Sequence, residues 1–322
     1  MSDTALVPTR SPDLASADLA PDLAAAARFS RAEKAGATRK AYATDYRLFC
    51  QWCDPRALCT MPASVETVAA YLAFEAENGC RASTIARRCA AIRYAHKIAG
   101  HESPTATESV KATVRGIRRS LGTAPTRKAP ATANLVLAMV AGAGSDPKAL
   151  RDRALALLGF AGAFRRSELV ALDVSDLQET EAGLIVTVRR SKTDQEGQGR
   201  MVAIVRGSIA CPVHAVRNWL DAAKIENGPL FRPVAKGGKI MDGRLSDKQV
   251  SRTIKAFAAR LGLDDAAFGG HSLRSGFLTS AAARGASIFK MADQSGHKSM
   301  DTLRGYVRNA EIFQDHAGTG LL

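Results

Sequence analysis

Three short segments in the second half of the chain concentrate the side chains that could do chemistry. Gly162-Ala-Phe-Arg-Arg-Ser-Glu-Leu169 interrupts an apolar helical run with Arg165, Arg166, Ser167 and Glu168. Gly270-His-Ser-Leu-Arg-Ser-Gly276 is a His-x-x-Arg unit carrying His271 and Arg274. Ser295-Gly-His-Lys-Ser299 precedes Arg304-Gly-Tyr-Val-Arg308, which sets His297 and Tyr306 nine residues apart. A weaker fourth signal is Ser191-Lys192-Thr193. Guanidinium forks hold oxyanions in fixed geometry, imidazoles move protons near neutral pH, and a phenol attacks only when a neighbour accepts its proton. These residue types suit an anionic centre. There is no Gly-x-x-x-x-Gly-Lys-Ser/Thr loop for a nucleotide and no His-Glu-x-x-His for a metal.

The charge points to the same kind of substrate. The 322 residues include 45 Lys and Arg against 31 Asp and Glu, a net charge of +14. Such a surplus attracts polyanions across about a Debye length, and nucleic acid is the leading partner class. A membrane is the rival, but the longest apolar stretch, Ala154 to Phe164, falls far short of the ~20 residues a span requires. Asp3, Asp13, Asp18 and Asp22 interrupt the N-terminus, which does not read as a signal peptide. Reduced thiols and a cytoplasmic location are therefore expected for the six cysteines. Cys50-x-x-Cys53 lacks a second pair and reads as core packing, Asp264-Asp265 as a helix or turn end, and Lys236-Gly-Gly-Lys239 as a basic loop.

The elements that must position these residues follow from periodicity. Residues 1–27, rich in Ala, Asp and Pro, read as a tail. Tyr42, Tyr46, Phe49 and Cys53 share one helix face, Ser64 caps a helix turning Val65, Val68 and Leu72 inward, and Ile85, Cys89 and Ile92 form a third stripe ended by Gly100. A fourth helix over 105–120 carries Val110, Val114 and Ile117, which makes 28–121 a helical domain. Between residues 81 and 128 lie Arg81, Arg87, Arg88, Arg93, Lys97, Lys111, Arg115, Arg118, Arg119, Arg127 and Lys128, opposed only by Glu102 and Glu108. That segment reads as a phosphate-tracking, DNA-binding surface. The Pro- and Gly-containing run at 122–130 reads as a linker. In 131–322, alternation predicts strands at 184–188 and 201–205, joined by a polar turn at 191–200. Helices are predicted near 132–142, 148–160, 212–224, 246–261, 273–284, 287–294 and 300–307.

In this order, the segments resemble the tyrosine recombinase (phage integrase) family, and the resemblance covers nearly the whole chain. It implies a mainly α fold: a helical core-binding (SAM-like) domain, then an α+β catalytic domain with a small antiparallel sheet. Arg165 falls on the family's first arginine with Glu168 as its acidic neighbour, and Lys192 on the β-hairpin lysine. His271 and Arg274 fall on the His-x-x-Arg box, His297 on the His/Trp position, and Tyr306 on the nucleophile. The stretch from His271 to Arg308 looks closer to Cre-like recombinases than to Xer proteins. Ser275 stands where many members, Xer proteins included, carry His, and His297 where Cre has Trp.

The resemblance implies that Arg165 and Arg274 hold the non-bridging phosphate oxygens, with His297 adding a hydrogen bond. His271 would accept the Tyr306 proton, Lys192 would protonate the departing 5′ oxygen, and Glu168 would orient an arginine or His271. It implies that the phosphotyrosine linkage stores the bond energy, so no ATP, metal or other cofactor is expected, and it implies an inverted-repeat duplex target, a tetramer on DNA and a Holliday junction. The segment after Tyr306, with Ile312 and Phe313, matches the family's terminal docking helix. Other readings of the same residues are a type IB topoisomerase and a DNA-binding regulator without catalysis.

Overall fold

The structure, a computed structural model, describes residues 19–124, 128–191, 194 and 197–310. Two compact units divide the chain, Met1–Thr126 and Arg127–Leu322.

The first unit has five α-helices among its described residues: α1 Ala20–Ala32, α2 Gly36–Cys53, α3 Val65–Glu77, α4 Ala82–Ile98 and α5 Glu108–Leu121. The reading of a tail through residue 27 is corrected at its end, because α1 is a helix. Pro21 starts it and the alanines at 24–27 propagate it with little entropic cost. It buries little, leaving Leu23 and Phe29 exposed. Residues 1–18 of that tail lie outside the described residues. The expected faces close the core: Phe49, Cys53, Val68, Leu72, Ile85, Ile92 and Val110 are buried, joined by Tyr71. Ser64 Oγ accepts the Thr67 amide at 3.1 Å and so caps α3. Cys53 is a core thiol, and no cluster of three metal-capable side chains occurs among the described residues.

The second unit comprises α6 Ala133–Ala141, α7 Pro147–Ala161, α8 Arg166–Ala171, β1 Leu177–Glu179, β2 Gly183–Val188, β3 Arg200–Val205, α9 Pro212–Ala223, α10 Asp247–Arg260, α11 Ser272–Ala283, α12 Ile288–Ser295 and α13 Met300–Ala310. Its sheet is antiparallel in the order β1-β2-β3. Leu184 pairs with Ile204 and Val186 with Val202, so the alternating apolar residues of both strands reach one core. At three residues β1 is too short for period-two patterning to reveal it. The six-residue α8 escapes helical periodicity for the same reason. Trp219 on α9 is fully buried and donates its indole N–H to the Leu230 carbonyl at 2.8 Å. Leu278, Ala282, Met291 and Leu303 form a smaller cluster under α11, α12 and α13. Among the described residues no helix is long and apolar enough to cross a membrane.

The run expected as a linker is fastened to the second unit at its far end. The Ala129 amide donates to the Ala267 carbonyl at 2.8 Å and the Ala131 amide to the Ser272 carbonyl at 2.9 Å. Here α11 runs against backbone, and a Cβ on Gly276 would stand 1.7 Å from the Ala131 carbonyl oxygen. No rotamer relieves that overlap. Gly276→Ala should therefore destabilise the unit by about 3 kcal/mol or more. By contrast Gly116→Ala, in α5 with open space around it, should stabilise by about 0.5–1 kcal/mol. Denaturant unfolding of the two variants checks both signs, and a neutral Gly276→Ala would contradict the packing of α11.

Candidate active site

The site is assembled where α7, α8, α11 and α12 present their ends. After α7 the chain turns through Ala163, a non-glycine residue in the left-handed region at φ 47°. That turn sets Arg165 as the N-cap residue of α8 and Glu168 at its third position. Glu168 is 2% exposed and works in two directions. Its carboxylate accepts the Arg165 amide at 3.1 Å and the Arg165 Nη1 at 2.5 Å. It also lies 3.4 Å from Nη2 of Arg200, the first residue of β3.

Arg274, one turn into α11, is 1% exposed. Its Nη1 donates to the Ala163 carbonyl at 2.7 Å and to the Ser295 carbonyl at 2.5 Å. Its Nη2 stands 3.0 Å from Nδ1 and 3.2 Å from Nε2 of His297. Burial, then the charge of Arg165, pulls the Arg274 pKa down to about 10, which leaves it cationic at neutral pH. Burial, then the charges of Arg274 and Arg165, pushes His297 down to about 3, so its ring is neutral. Ser295 Oγ donates to the Met291 carbonyl at 2.6 Å and lies 2.7 Å from His297 Nδ1. With the serine hydrogen so committed, Nδ1–H donates to Ser295 and Nε2 is left as the acceptor.

His271 precedes α11 and is solvent-exposed on one side, and its side chain makes no capping bond. Partial desolvation, then Arg274 and Arg165, lowers its pKa, so it too is a neutral base. Tyr306 on α13 is half-buried against the Leu278–Leu303 cluster, within electrostatic reach of Arg274. Thus Arg165, Glu168, His271, Arg274, His297 and Tyr306, scattered over 142 positions of sequence, come together. Lys192 lies outside the described residues, as do Ile312 and Phe313. Beside Lys192, Ser191 bridges Asp194, whose carboxylate takes the Gln198 and Gly199 amides at 3.0 and 2.8 Å.

The residue that motif reading missed is Arg200. A basic residue opening a strand straight after a polar turn is the only sequence signal it carries.

The basic segment of the first unit is less uniform than its charge count. Arg88 is largely buried and ion-paired with Glu75. Arg87 forms a fork with Asp45 at 2.6 and 3.1 Å, Arg93 donates to Thr105 Oγ1 at 3.1 Å, and Arg115 pairs with Glu108. Arg81, Lys97, Lys111, Arg118 and Arg119 are exposed. Arg81 and Arg118 line an open groove of about 790 Å³ with Ser83 and Gly122.

A mostly helical unit whose small sheet frames a buried and a half-buried guanidinium, two neutral imidazoles and a phenol defines a class of protein that handles a phosphodiester. Comparison with known proteins agrees. Residues 131–311 match the phage integrase family and residues 29–103 its N-terminal SAM-like domain. An integrase/recombinase xerD homolog of Selenomonas ruminantium is 40% identical over 291 residues, covering 88% of this chain and 85% of that protein. Tyrosine recombinase XerD of Rhizobium meliloti (strain 1021) is 29% identical over 266 residues, covering 79% and 80%. The fold is shared with XerH recombinase bound to its difH substrate, with TM-score 0.56, 18% identity and coverage of 78% and 70%. It is shared too with a lambda integrase dimer bound to a COC' core site, with TM-score 0.57, 19% identity and coverage of 85% and 73%. The chain belongs to the phage integrase family and is a site-specific tyrosine recombinase acting on DNA. Where His271–Arg308 leaned toward Cre-like members, these sequence relatives are Xer proteins.

The neutrality of His297 has a consequence for the DNA-free protein. Its folded pKa of about 3 lies below the ordinary 6.5, so between these values the unfolded chain binds the extra proton. The stability due to the neutral ring is whole above the ordinary value and is lost as pH falls toward the folded one. Between about pH 7 and about pH 4.5, His297→Gln should lose less melting temperature than the unaltered chain. Equal losses would mean that the folded ring protonates in that range.

Proposed function

We propose that the chain breaks and rejoins duplex DNA through a 3′-phosphotyrosine intermediate. The observation that carries this reading is the buried Arg274, pinned by two carbonyls beside the neutral His297 with Tyr306 in reach. Arg165 and Arg274 hold the non-bridging oxygens of the scissile phosphate, and Glu168 orients Arg165. His271, neutral and accessible, accepts the phenolic proton as the Tyr306 oxygen bonds to phosphorus. The bond to the 5′ oxygen breaks, and Lys192 gives that oxygen its proton. His297 adds a further hydrogen bond to a phosphate oxygen. The bond energy is kept in the phosphotyrosine linkage, and a 5′ hydroxyl from a second duplex reverses the step.

In this reading residues 28–121 bind DNA, 122–130 link, and 131–322 carry the chemistry, inside the cell. Four copies on two inverted-repeat sites exchange strands in pairs through a Holliday junction, each copy's terminal segment docking on a neighbour.

The test uses duplex selected by the chain from a random-sequence pool, with the bridging 5′ oxygen of the scissile phosphate replaced by sulfur. A thiolate leaves without protonation, so Lys192→Ala should be inert on ordinary DNA and cleave the sulfur site at close to the unaltered rate. Tyr306→Phe should be inert on both. Lys192→Ala dead on the sulfur site would reassign Lys192 to phosphate holding, and a covalent adduct from Tyr306→Phe would remove the nucleophile assignment. Binding is tested separately. Replacing Arg81, Arg118 and Arg119 with Gln should flatten the log–log salt dependence of duplex affinity by up to about 3, at ~0.9 per phosphate contact. An unchanged slope would return these residues to a solvated face.

A further inference from the structure

The mechanism leaves Arg200 unused. Its guanidinium nevertheless joins the two halves of the site. Nη2 faces Glu168 Oε2 at 3.4 Å, the carboxylate that also holds Arg165. Nη1 donates at 2.9 Å to the carbonyl of Gln294, in the last turn of α12. The carbonyls of a final helical turn have no partner within the helix and require an outside donor. The next carbonyl, that of Ser295, is taken by Arg274. Two guanidiniums from different elements therefore cap successive carbonyls of α12, directly before His297.

The acceptor that Arg200 holds is itself fixed. The Gln294 side-chain amide donates to the carbonyls of Ala161 and Ala203 at 2.8 and 2.9 Å, which ties the end of α12 to α7 and β3. Arg200 Nε is buried without a hydrogen-bond partner. It lies over Gly296, where an added Cβ would stand 2.8 Å away. Gly296 closes α12 in the left-handed region at φ 64°, a position that glycine adopts without strain, and its bare Cα leaves room for the guanidinium. Burial lowers the Arg200 pKa, with the Glu168 charge opposing that shift. Neither an ammonium nor a neutral amide has a planar fork able to span Glu168 and the Gln294 carbonyl together.

We propose that Arg200 is a positioning residue for strand cleavage, which fixes the Arg165–Glu168 pair relative to the Arg274–His297 pair so that both guanidiniums meet one phosphate. This rests on the reading that the cluster holds the scissile phosphate.

The test measures covalent adduct on a nicked duplex recovered from the random-sequence pool. Adduct with the unaltered chain and none with Tyr306→Phe establishes the underlying reading; no adduct with the unaltered chain overturns that reading rather than the role of Arg200. Arg200→Met should slow adduct formation about 100-fold, the loss expected from a misplaced binding group, with duplex affinity unchanged within about twofold. Arg200→Lys should recover part of the rate, because an ammonium can reach one of the two acceptors. Gly296→Ala should slow cleavage by displacing Arg200, and should add little in the Arg200→Met background, since the two act through one contact. A readout without DNA is the His297 imidazole followed by NMR. Beyond burial, Arg200 is one of the guanidinium charges that lower the pKa of that ring, with Arg274 and Arg165. Its titration should therefore move up in Arg200→Met and stay in place in Arg200→Lys. An unaltered rate in Arg200→Met, rate and affinity falling together, or additive losses with Gly296→Ala would overturn the proposal. Should Arg200→Met not fold, unaltered rates in both Arg200→Lys and Gly296→Ala would overturn it.

Discussion

The guanidinium of Arg274 is the constraint on which the second unit is arranged. At 1% exposure it has lost nearly all its water, a cost of several kcal/mol that only fixed acceptors can offset. Two backbone carbonyls do so, and each dictates local structure. The Ala163 carbonyl is available because its residue sits at φ 47°, a conformation costing a non-glycine residue about 1 kcal/mol or more. The Ser295 carbonyl is available because α12 ends there, with Gly296 turning the chain away. Arg274 itself is delivered by a helix that approaches the Ala131 backbone too closely for any side chain at position 276. The left-handed alanine, the helix end and the glycine contact are three local features with one cause.

The electrostatics of the cluster follow from the same burial. Arg274, Arg200, His271 and His297 all have pKa values below their ordinary ones, burial being the first cause and mutual repulsion a further one. Glu168 is the carboxylate that opposes the shifts of Arg274 and Arg200. The charge distribution is thus unbalanced until an anion arrives. Donors already fixed in place need not reorganise when charge develops on that anion. Depressed histidines contribute at the same time: two neutral rings near neutral pH supply a proton acceptor without adding to the repulsion.

How much of this was legible in the sequence depended on the physical range of each signal. Faces that repeat along a helix, such as Phe49 with Cys53 or Val68 with Leu72, are local, and they placed α2 and α3. Short elements carry no period, so β1 and α8 had to come from the structure, and α1 forms through alanine propensity with almost no buried face. Arg165, His271, Arg274, His297 and Tyr306 stood out because residue types and order together are distinctive. Arg200 did not, since its importance lies in partners 32 and 94 positions away. The short stretch His271–Arg308 leaned toward Cre-like members, although His297 stands where Cre has Trp, whereas identity summed over most of the chain lies with Xer proteins.

Arg88 shows the limit of counting charge. Between residues 81 and 128 the carboxylates that pair with arginines include, besides Glu108 within the segment, Asp45 and Glu75 from outside it, brought in by α2 and α3. An arginine already paired with a carboxylate can meet a phosphate only by exchanging one anion for another. The attraction gained is then nearly matched by the attraction lost, and the freed carboxylate repels the duplex. Counterion release, the source of salt-dependent affinity, comes chiefly from cations with no carboxylate to give up. Within that segment the exposed Arg81, Lys97, Lys111, Arg118 and Arg119, on or beside α4 and α5, are such cations. The charge this segment could offer to a polyanion is therefore smaller than its net charge, and it is set by which arginines the fold leaves without an internal carboxylate.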